Sequence, residues 1–290
     1  MSVERAAGQQ LAVVQLQGLH PVGRRPALRD YVSQLWTRRH FIVADSRARV
    51  TSGTRQMVLG NVWLVLNPML NGLVFLVIFG LVLKSSRGIE NFIGYLLIGV
   101  FMFQFTARCL SAGASSVTSG RNLIRSFLFP RAALPIAAVL RETLSMVPVV
   151  VSMVVLVLVI PPHAVVTWRW VLFPLVFALQ VVFNTGIALL AARMVARVPD
   201  LNLVIGFVTR FWLYGSGVFF SFDAFVSHPT VLAVVELNPL FLVLDMTRDV
   251  LLYGQTPDLR SWAVLGAWAA GALLVGFLFF WRGEETYGRE

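Results

Sequence analysis

The chain contains long apolar stretches, and these constrain its fold more than any other feature. The segment 134–160 is an unbroken run in which Arg141 and Glu142 are the only charged side chains. About 20 apolar residues cross the hydrocarbon core of a bilayer as a helix, which satisfies its own backbone hydrogen bonds. Five more stretches share this character. The sequence therefore predicts an all-α integral membrane protein with six spans, at residues 60–83, 92–116, 134–160, 169–193, 201–220 and 261–281.

The overall composition agrees with a membrane location. The chain is 57% hydrophobic and 13% charged, whereas soluble domains are about 25% charged. Its net charge is +10, and 23 of its 24 basic residues are arginine. A basic chain can indicate nucleic acid binding, but the excess of Lys and Arg in cytoplasmic loops explains the charge of a membrane protein. We expect no nucleic acid partner.

The distribution of these basic residues predicts the orientation. With the N-terminus inside, the cytoplasmic segments carry 16 Lys or Arg residues and the outer segments carry 5, while Arg108, Arg141 and Arg210 fall within spans. Lys and Arg accumulate on the cytoplasmic side of membrane proteins. We therefore expect a multi-pass protein of the plasma membrane with both termini in the cytoplasm.

The segment before the first span divides into a polar tail, residues 1–27, and an amphipathic region, residues 28–58. The tail has no apolar core of a signal peptide. Residues 28–43 carry an apolar stripe at helical spacing, which predicts one helix lying in the membrane interface. The stripe comprises Leu28, Val32, Leu35, Trp36, Ile42 and Val43. Five arginines lie within or shortly after this predicted helix. They either anchor it to the membrane surface or form a basic collar for an anionic lipid: Arg38, Arg39, Arg47, Arg49 and Arg55.

The segment 221–256, before the last span, is apolar but interrupted by proline. His228-Pro229 and Asn238-Pro239 predict two short helices, at about 230–237 and 239–253. Neither is long enough to span a bilayer. We expect a re-entrant hairpin on the outer side, and an external amphipathic hairpin is the alternative.

The sequence offers little catalytic chemistry. The one lysine, Lys84, follows leucine, whereas a phosphate-binding GxxxxGK[ST] loop requires glycine there. The four histidines are scattered, Cys109 is the only cysteine, and we expect neither a metal site nor a catalytic residue. Asp245 and Asp249 form the one acidic cluster, and Arg248 between them favours an internally compensated polar face. A membrane-embedded transferase acting on a polyprenyl phosphate around these aspartates is the alternative.

An aromatic strip near the end of the predicted fifth span could line a passage for sugars. The strip begins at Arg210, and a charged residue within a span requires a partner or water. Aromatic ring faces stack against sugar C–H groups, but tight helix packing at Gly215 and Gly217 is the alternative explanation. The candidate path residues are Trp63, Arg210, Phe211, Trp212, Tyr214, Phe219, Phe220 and Phe222.

Three segments resemble permeases of ABC exporters for polysaccharides. In 47–83, the resemblance lies in a basic stretch followed by Leu59, Gly60, Trp63, Pro68 and Phe79-Gly80. It continues in "LIRSFLFPRAALP", between predicted spans two and three, and in "NPLFLVLDMTRDVLLYG". Relatives in that family export O-antigen, teichoic acid or galactan. The arginine-rich character favours a galactan exporter similar to the mycobacterial arabinogalactan-precursor system.

The resemblance implies a transport subunit rather than an enzyme. Residues 59–290 would form a six-span domain of the ABC-2 type, present as a homodimer with two copies of a separate nucleotide-binding subunit that binds ATP and Mg. The substrate would be a polyprenyl-diphosphate-linked glycan, entering at the arginines of residues 38–55. A short cytoplasmic coupling helix, about 121–131, would dock into the ATPase through Leu123, Ile124, Arg125, Phe127, Phe129 and Arg131. An ABC-2 permease for a drug or a lipid is a further alternative.

Overall fold

The computed structural model describes residues 26–52, 62–75, 77–78, 89, 91–126, 129–222 and 235–287. Within these ranges the regular structure is entirely helical, which confirms the all-α fold class. The α-helices are α1 (Leu28–Thr37), α2 (Arg39–Ser52), α3 (Trp63–Phe75), α4 (Phe92–Ser119), α5 (Arg121–Ser126), α6 (Ala133–Val159), α7 (Phe173–Arg197), α8 (Leu201–Gly215), α9 (Pro239–Arg248) and α10 (Leu259–Arg282). A 3₁₀ turn at Trp168–Leu172 precedes α7, and a π-helical turn at Asp249–Tyr253 follows α9.

Four helical segments are long and apolar enough to cross a membrane. These are α4, α6, the 3₁₀ turn together with α7, and α10, which correspond to the second, third, fourth and sixth predicted spans. Helix α8, in the fifth predicted span, has 15 residues and at about 1.5 Å per residue does not cover the roughly 30 Å of a hydrocarbon core. In the first predicted span, helix α3 has 13 described residues, and the residues after Phe75 fall mostly outside those described.

The fifth predicted span, 201–220, is wrong in its outer boundary. Helix α8 ends at Gly215, and the chain then turns through Ser216 and Gly217. Gly217 has a φ of 63°, a left-handed conformation that glycine adopts without a Cβ penalty and that does not continue a right-handed helix. The apolar residues that follow therefore lie in a loop. The end of the first predicted span falls on residues 79–83, outside the described residues.

Helix α4 lies at the centre of the bundle, and most of its side chains are buried against α6 and α7. Asn91 caps its start by accepting a hydrogen bond from the Gly94 N–H at 3.0 Å. On α7, the Gln180 amide donates to the Met102 carbonyl at 2.9 Å and to the Thr106 hydroxyl at 3.0 Å. These bonds pair the Gln180 NH2 group and fix the register of α4 against α7, while the buried Gln180 Oε1 has no hydrogen-bond partner among the described residues.

Helices α7 and α10 are in backbone contact. A Cβ on Gly186 would collide with the backbone at Ala272, and a Cβ on Gly276 would collide with the carbonyl of Gly186. Small residues allow this close approach, which strengthens van der Waals packing between membrane helices. The pair therefore forms a tight two-helix unit.

The helix predicted over 28–43 is in fact two helices, α1 and α2, with a break at Arg38. The predicted stripe divides accordingly: Leu28, Val32 and Trp36 on α1 are exposed, whereas Ile42 on α2 is buried. Helix α2 lies along α6, where the Ser46 hydroxyl donates to the Ala137 carbonyl at 3.1 Å. The break lets α2 follow α6 while α1 keeps an apolar face outward.

Both chain ends of the described structure meet at one end of the bundle, which we call the basic end. Helices α4, α7 and α10 finish there, and α5, α6 and α8 begin there. Most described arginines lie at or near it, namely Arg29, Arg38, Arg39, Arg47, Arg49, Arg121, Arg125, Arg131, Arg193, Arg197 and Arg282. The loop after α8 and helix α9 lie at the opposite end.

Candidate functional sites at the two ends of the bundle

A buried arginine, Arg248, connects two helices and a loop at the end opposite the basic end. The Arg248 side chain is 1% exposed, and its guanidinium lies 3.3 Å from the centre of the Tyr95 ring. It donates to the carbonyl oxygens of Gly217 at 3.0 Å and of Tyr95 at 3.3 Å. The polar face expected for Asp245, Arg248 and Asp249 is therefore wrong, because Arg248 points into the bundle.

The Tyr95 side chain reaches the same loop. Its hydroxyl lies 2.8 Å from the Gly217 carbonyl oxygen and 2.9 Å from that of Phe220, so it can donate to either. Gly99 provides the space for this arrangement, because a Cβ there would lie 2.6 Å from Arg248 Nη2. We call Tyr95 and Arg248 the clamp. It supplies donors to the carbonyls of Gly217 and Phe220, which lie in the loop after α8.

Asn238 holds the last turn of α8 from the other side. Its side-chain amide donates to the Gly215 carbonyl at 2.9 Å, and its Oδ1 accepts from Trp212 Nε1 at 2.9 Å. The same Oδ1 caps α9 by accepting from the Leu240 N–H. The helix predicted over 239–253 corresponds to α9 and the π-helical turn. The helix predicted over 230–237 falls mostly on residues outside those described.

The candidate path residues occupy different environments. Phe211 and Tyr214 on α8 are 78% and 60% exposed, whereas Trp212 is half-buried and packs edge-on against Phe183 of α7. The structure brings four of them together in two ring pairs, Tyr214 with Phe219 at 6.0 Å and Phe220 with Phe222 at 5.0 Å between centroids. The clamp holds the backbone of this loop, so it positions these rings.

Arg210 and Trp63 complete the predicted set. Arg210 is exposed, and its guanidinium lies 5.8 Å from the centre of the Phe207 ring on the preceding turn of α8. Trp63 is half-buried at the start of α3, a helix that packs against α6 and α4. These two residues lie on separate helices, and the structure gives no contact between them.

Sequence reasoning missed a polar face on α4. Gln104, Arg108 and Ser111 are exposed although their neighbours on the same helix are buried or half-buried, and Arg108 donates to Gln104 Oε1 at 3.4 Å. Their spacing of four and three residues places them on one side of the helix. Polar residues at this spacing within a predicted span would have indicated the polar face from the sequence. An arginine in a membrane helix faces protein or water rather than lipid.

The predicted docking residues lie around α5 at the basic end. The coupling helix expected over 121–131 is shorter, because α5 is the six-residue helix Arg121–Ser126. Arg125 is exposed and Leu123 is half-buried, whereas Ile124 is buried and Phe129 packs against the same cluster within this chain. Phe127 lies outside the described residues.

Arg131, the last predicted docking residue, binds its own chain. Its N–H donates to Glu284 Oε1 at 2.9 Å, and its guanidinium donates to the Glu284 carbonyl. The Tyr31 hydroxyl donates to Glu284 Oε2 at 2.7 Å and accepts from the Ala132 N–H at 3.0 Å. Burial raises the pKa of Glu284 above its ordinary value, and the hydrogen bonds from Arg131 and Tyr31 oppose that rise. This network ties α1, the chain after α5 and the end of α10 together.

The arginines expected to form a basic collar share the exposed side of α1 and α2. Arg38, Arg39, Arg47 and Arg49 are exposed, and Arg55 lies outside the described residues. Arg39 donates to the Trp36 carbonyl at 2.9 Å, and Arg49 pairs with Asp45 at 2.9 Å. An exposed pair of this kind contributes at most about 1 kcal/mol.

Comparison with known proteins assigns the family. Residues 45–252 match the ABC-2 type transporter family. The chain is 23% identical over 248 residues to an O-antigen export system permease protein of Myxococcus xanthus, covering 83% of this chain and 94% of that protein. It is 24% identical over 200 residues to an O-antigen export system permease protein of Klebsiella pneumoniae, covering 69% and 75%. The family match includes α3 to α9, with the clamp and α5, so this multi-pass membrane protein belongs to the ABC-2 type transporter family.

Proposed function

We propose that this chain is the permease subunit of an ATP-driven exporter that moves a polyprenyl-diphosphate-linked polysaccharide out of the cytoplasm. The observation that carries the proposal is the similarity to an O-antigen export permease along 83% of the chain, together with a family match that includes α3 to α9. The basic end would face the cytoplasm, because Lys and Arg accumulate on that side of membrane proteins.

The family implies a separate ABC ATPase partner, in which ATP and Mg would bind. Helix α5 and the chain after it are the best docking surface, because Arg125 is exposed there and the Arg131–Glu284–Tyr31 network joins this segment to two other helices. We propose a homodimer with two copies of the ATPase. The exposed apolar face of α8 supports a dimer, since Leu203, Val204 and Phe207 are left uncovered by the described residues of this chain.

The exposed aromatic rings of α8 support a glycan as the transported molecule. Phe211 and Tyr214 present ring faces, and Arg210 adds a positive charge on the same helix. The exposed arginines of α1 and α2 are suited to meeting a diphosphate, which arginine binds through paired hydrogen bonds. Galactan of an arabinogalactan-type cell wall is our specific proposal, and it rests on the arginine-rich composition.

The proposal is tested by assembly and transport. Purified with its ATPase partner in lipid vesicles, the wild-type protein should support ATP hydrolysis and movement of a lipid-linked glycan, and the permease alone should not hydrolyse ATP. Arg125→Ala should weaken co-purification of the partner, whereas Arg282→Ala, an exposed arginine at the same end, should leave it unchanged. ATP hydrolysis by the permease alone would overturn the proposal.

Two other functions give different results in the same vesicles. A permease for a drug or a lipid would move that molecule and leave the lipid-linked glycan in place. A transferase acting around Asp245 and Asp249 would lose a magnesium-dependent reaction in the double variant Asp245→Asn and Asp249→Asn.

A further inference from the structure

A small recess opens at the basic end, between the last turns of α4 and α7, the first residue of α5 and the turn after α10. Its volume is about 250 Å³. Three arginines and three hydroxyl side chains contribute to its lining, namely Arg121, Arg193, Arg197, Thr118, Thr286 and Tyr287. Arg121 is the first residue of α5, and the other lining residues belong to neither candidate site described above.

The arginines of the recess carry positive charge that the described acidic residues do not pair. Arg193 donates to the Phe279 carbonyl and lies 4.1 Å from the centre of the Phe279 ring, so it is fixed in place. Within the described part of the chain, Arg121 and Arg197 have neither a hydrogen-bond partner nor an ionic partner. The Glu284 carboxylate, whose charge reaches Tyr287, is already bound by Tyr31 and Arg131.

Helix dipoles compensate only part of the positive charge of the recess. The C-terminal end of a helix carries about half a negative charge, which favours arginine in the last turn. Helices α4, α7 and α10 end near the recess, so their dipoles together offset about half of the charge of three guanidinium groups. The remaining positive charge favours the binding of an anion.

The chemistry of the lining favours a phosphate group. Guanidinium groups bind phosphate oxygens through charge-assisted, often paired, hydrogen bonds. The recess is smaller than the roughly 300–1,000 Å³ of sites that enclose a whole small molecule, so it fits a head group better than an entire ligand. It lies where three segments long and apolar enough to cross a membrane end, and we expect the ends of such segments at the depth of the lipid head groups. We propose that the recess binds the phosphate-bearing head group of an anionic membrane lipid.

The test compares two double variants of the full chain. Arg121→Gln with Arg197→Gln removes two charges from the recess, and neither side chain holds another described part of the fold. Arg29→Gln with Arg282→Gln removes the same charge from exposed positions at the same end. Each protein is placed in lipid discs of phosphatidylcholine with or without phosphatidylglycerol, and bound phosphatidylglycerol is measured by native mass spectrometry. Inorganic pyrophosphate binding is measured in detergent by calorimetry.

We expect the recess variant to bind phosphatidylglycerol about tenfold more weakly than wild type, or weaker still, because it loses two charge-assisted contacts. The control variant should bind as wild type does. Equal binding by the two variants would overturn the proposal. Binding of pyrophosphate with no preference for phosphatidylglycerol would show a soluble phosphate instead of a lipid, and would also overturn it.

A third outcome identifies a protein ligand. If the recess variant binds phosphatidylglycerol normally but loses the ATPase partner during purification, an acidic side chain of that partner occupies the recess, and the lipid proposal is wrong. The lipid measurements use the permease alone, so they do not depend on whether the exported molecule is a glycan.

Discussion

The Arg248 guanidinium and the Tyr95 hydroxyl both reach the carbonyl oxygen of Gly217, at 3.0 Å and 2.8 Å. Arg248 belongs to α9 and Tyr95 to α4, so two helices distant in sequence meet on one atom of the loop after α8. This loop carries Phe219, Phe220 and Phe222 of the proposed path. The contact therefore connects the packing of the bundle to the position of those rings.

The clamp predicts two different losses of stability. Tyr95→Phe keeps the ring beneath the guanidinium and removes one hydrogen bond, so the free energy of unfolding should fall by about 1 kcal/mol. Arg248→Met leaves the carbonyls of Tyr95 and Gly217 without their charged donor and should cost roughly 2–4 kcal/mol. Unfolding by sodium dodecyl sulfate, followed by tryptophan fluorescence, measures both. Equal losses would show that the guanidinium stabilises the loop no more than the hydroxyl does, and would contradict this prediction.

Gly99 tests the space that the clamp needs. Gly99→Ala places a Cβ 2.6 Å from Arg248 Nη2, and overpacking of this kind costs about 1–3 kcal/mol. Gly266→Ala on α10 is the matched control, because a Cβ there meets nothing within 4 Å. It should be neutral or slightly stabilising, since alanine favours helix. The same unfolding assay compares them, and similar stability of the two variants would contradict the packing around Arg248.

Asp249 predicts a dependence of stability on pH. Burial and the charge of Asp245 raise the pKa of Asp249 to about 6, and Arg248 opposes the rise. The folded protein therefore holds this proton more tightly than the unfolded chain, whose carboxyl has a pKa of about 4. The contribution to stability is greatest below about pH 4 and is lost as the pH rises through about 6. Asp249→Asn should remove that part of the slope in unfolding assays at pH 4 to 8, and an unchanged slope would assign the titration to another group.

The exposed rings of α8 predict a defect in transport without a defect in folding. Replacing Phe211 and Tyr214 by leucine preserves apolar character but removes the ring faces, so glycan export should fall several-fold while the melting temperature stays near that of wild type. Trp168→Leu changes an exposed ring at the start of the 3₁₀ turn before α7 and serves as the control. Export is measured in vesicles that contain the ATPase partner. Equal export by wild type and the double variant would remove these rings from the path.

Hydropathy predicted the four long spans because residues in a bilayer must be apolar over a fixed length. It could not place the end of α8, because Gly217 stops the helix through its backbone conformation while the sequence stays apolar through Phe220. The inward direction of Arg248 was equally hidden, since spacing alone paired it with Asp245 and Asp249. The Tyr31–Glu284 hydrogen bond joins residues 253 positions apart, and no local pattern indicates such a contact.

The contact between Gly186 and Gly276 has a consequence for movement within the bundle. Two helices whose backbones touch cannot slide or separate without opening a void. We therefore expect α7 and α10 to move as one rigid unit. Helix α8 makes no such backbone contact within the described residues: its first turns pack at Leu201 and Ile205, the Trp212 ring contacts Phe183 of α7, and its far end is held by the clamp and Asn238. A rearrangement that widens a passage would therefore move α8, which is attached at its two ends, while α7 and α10 keep their positions.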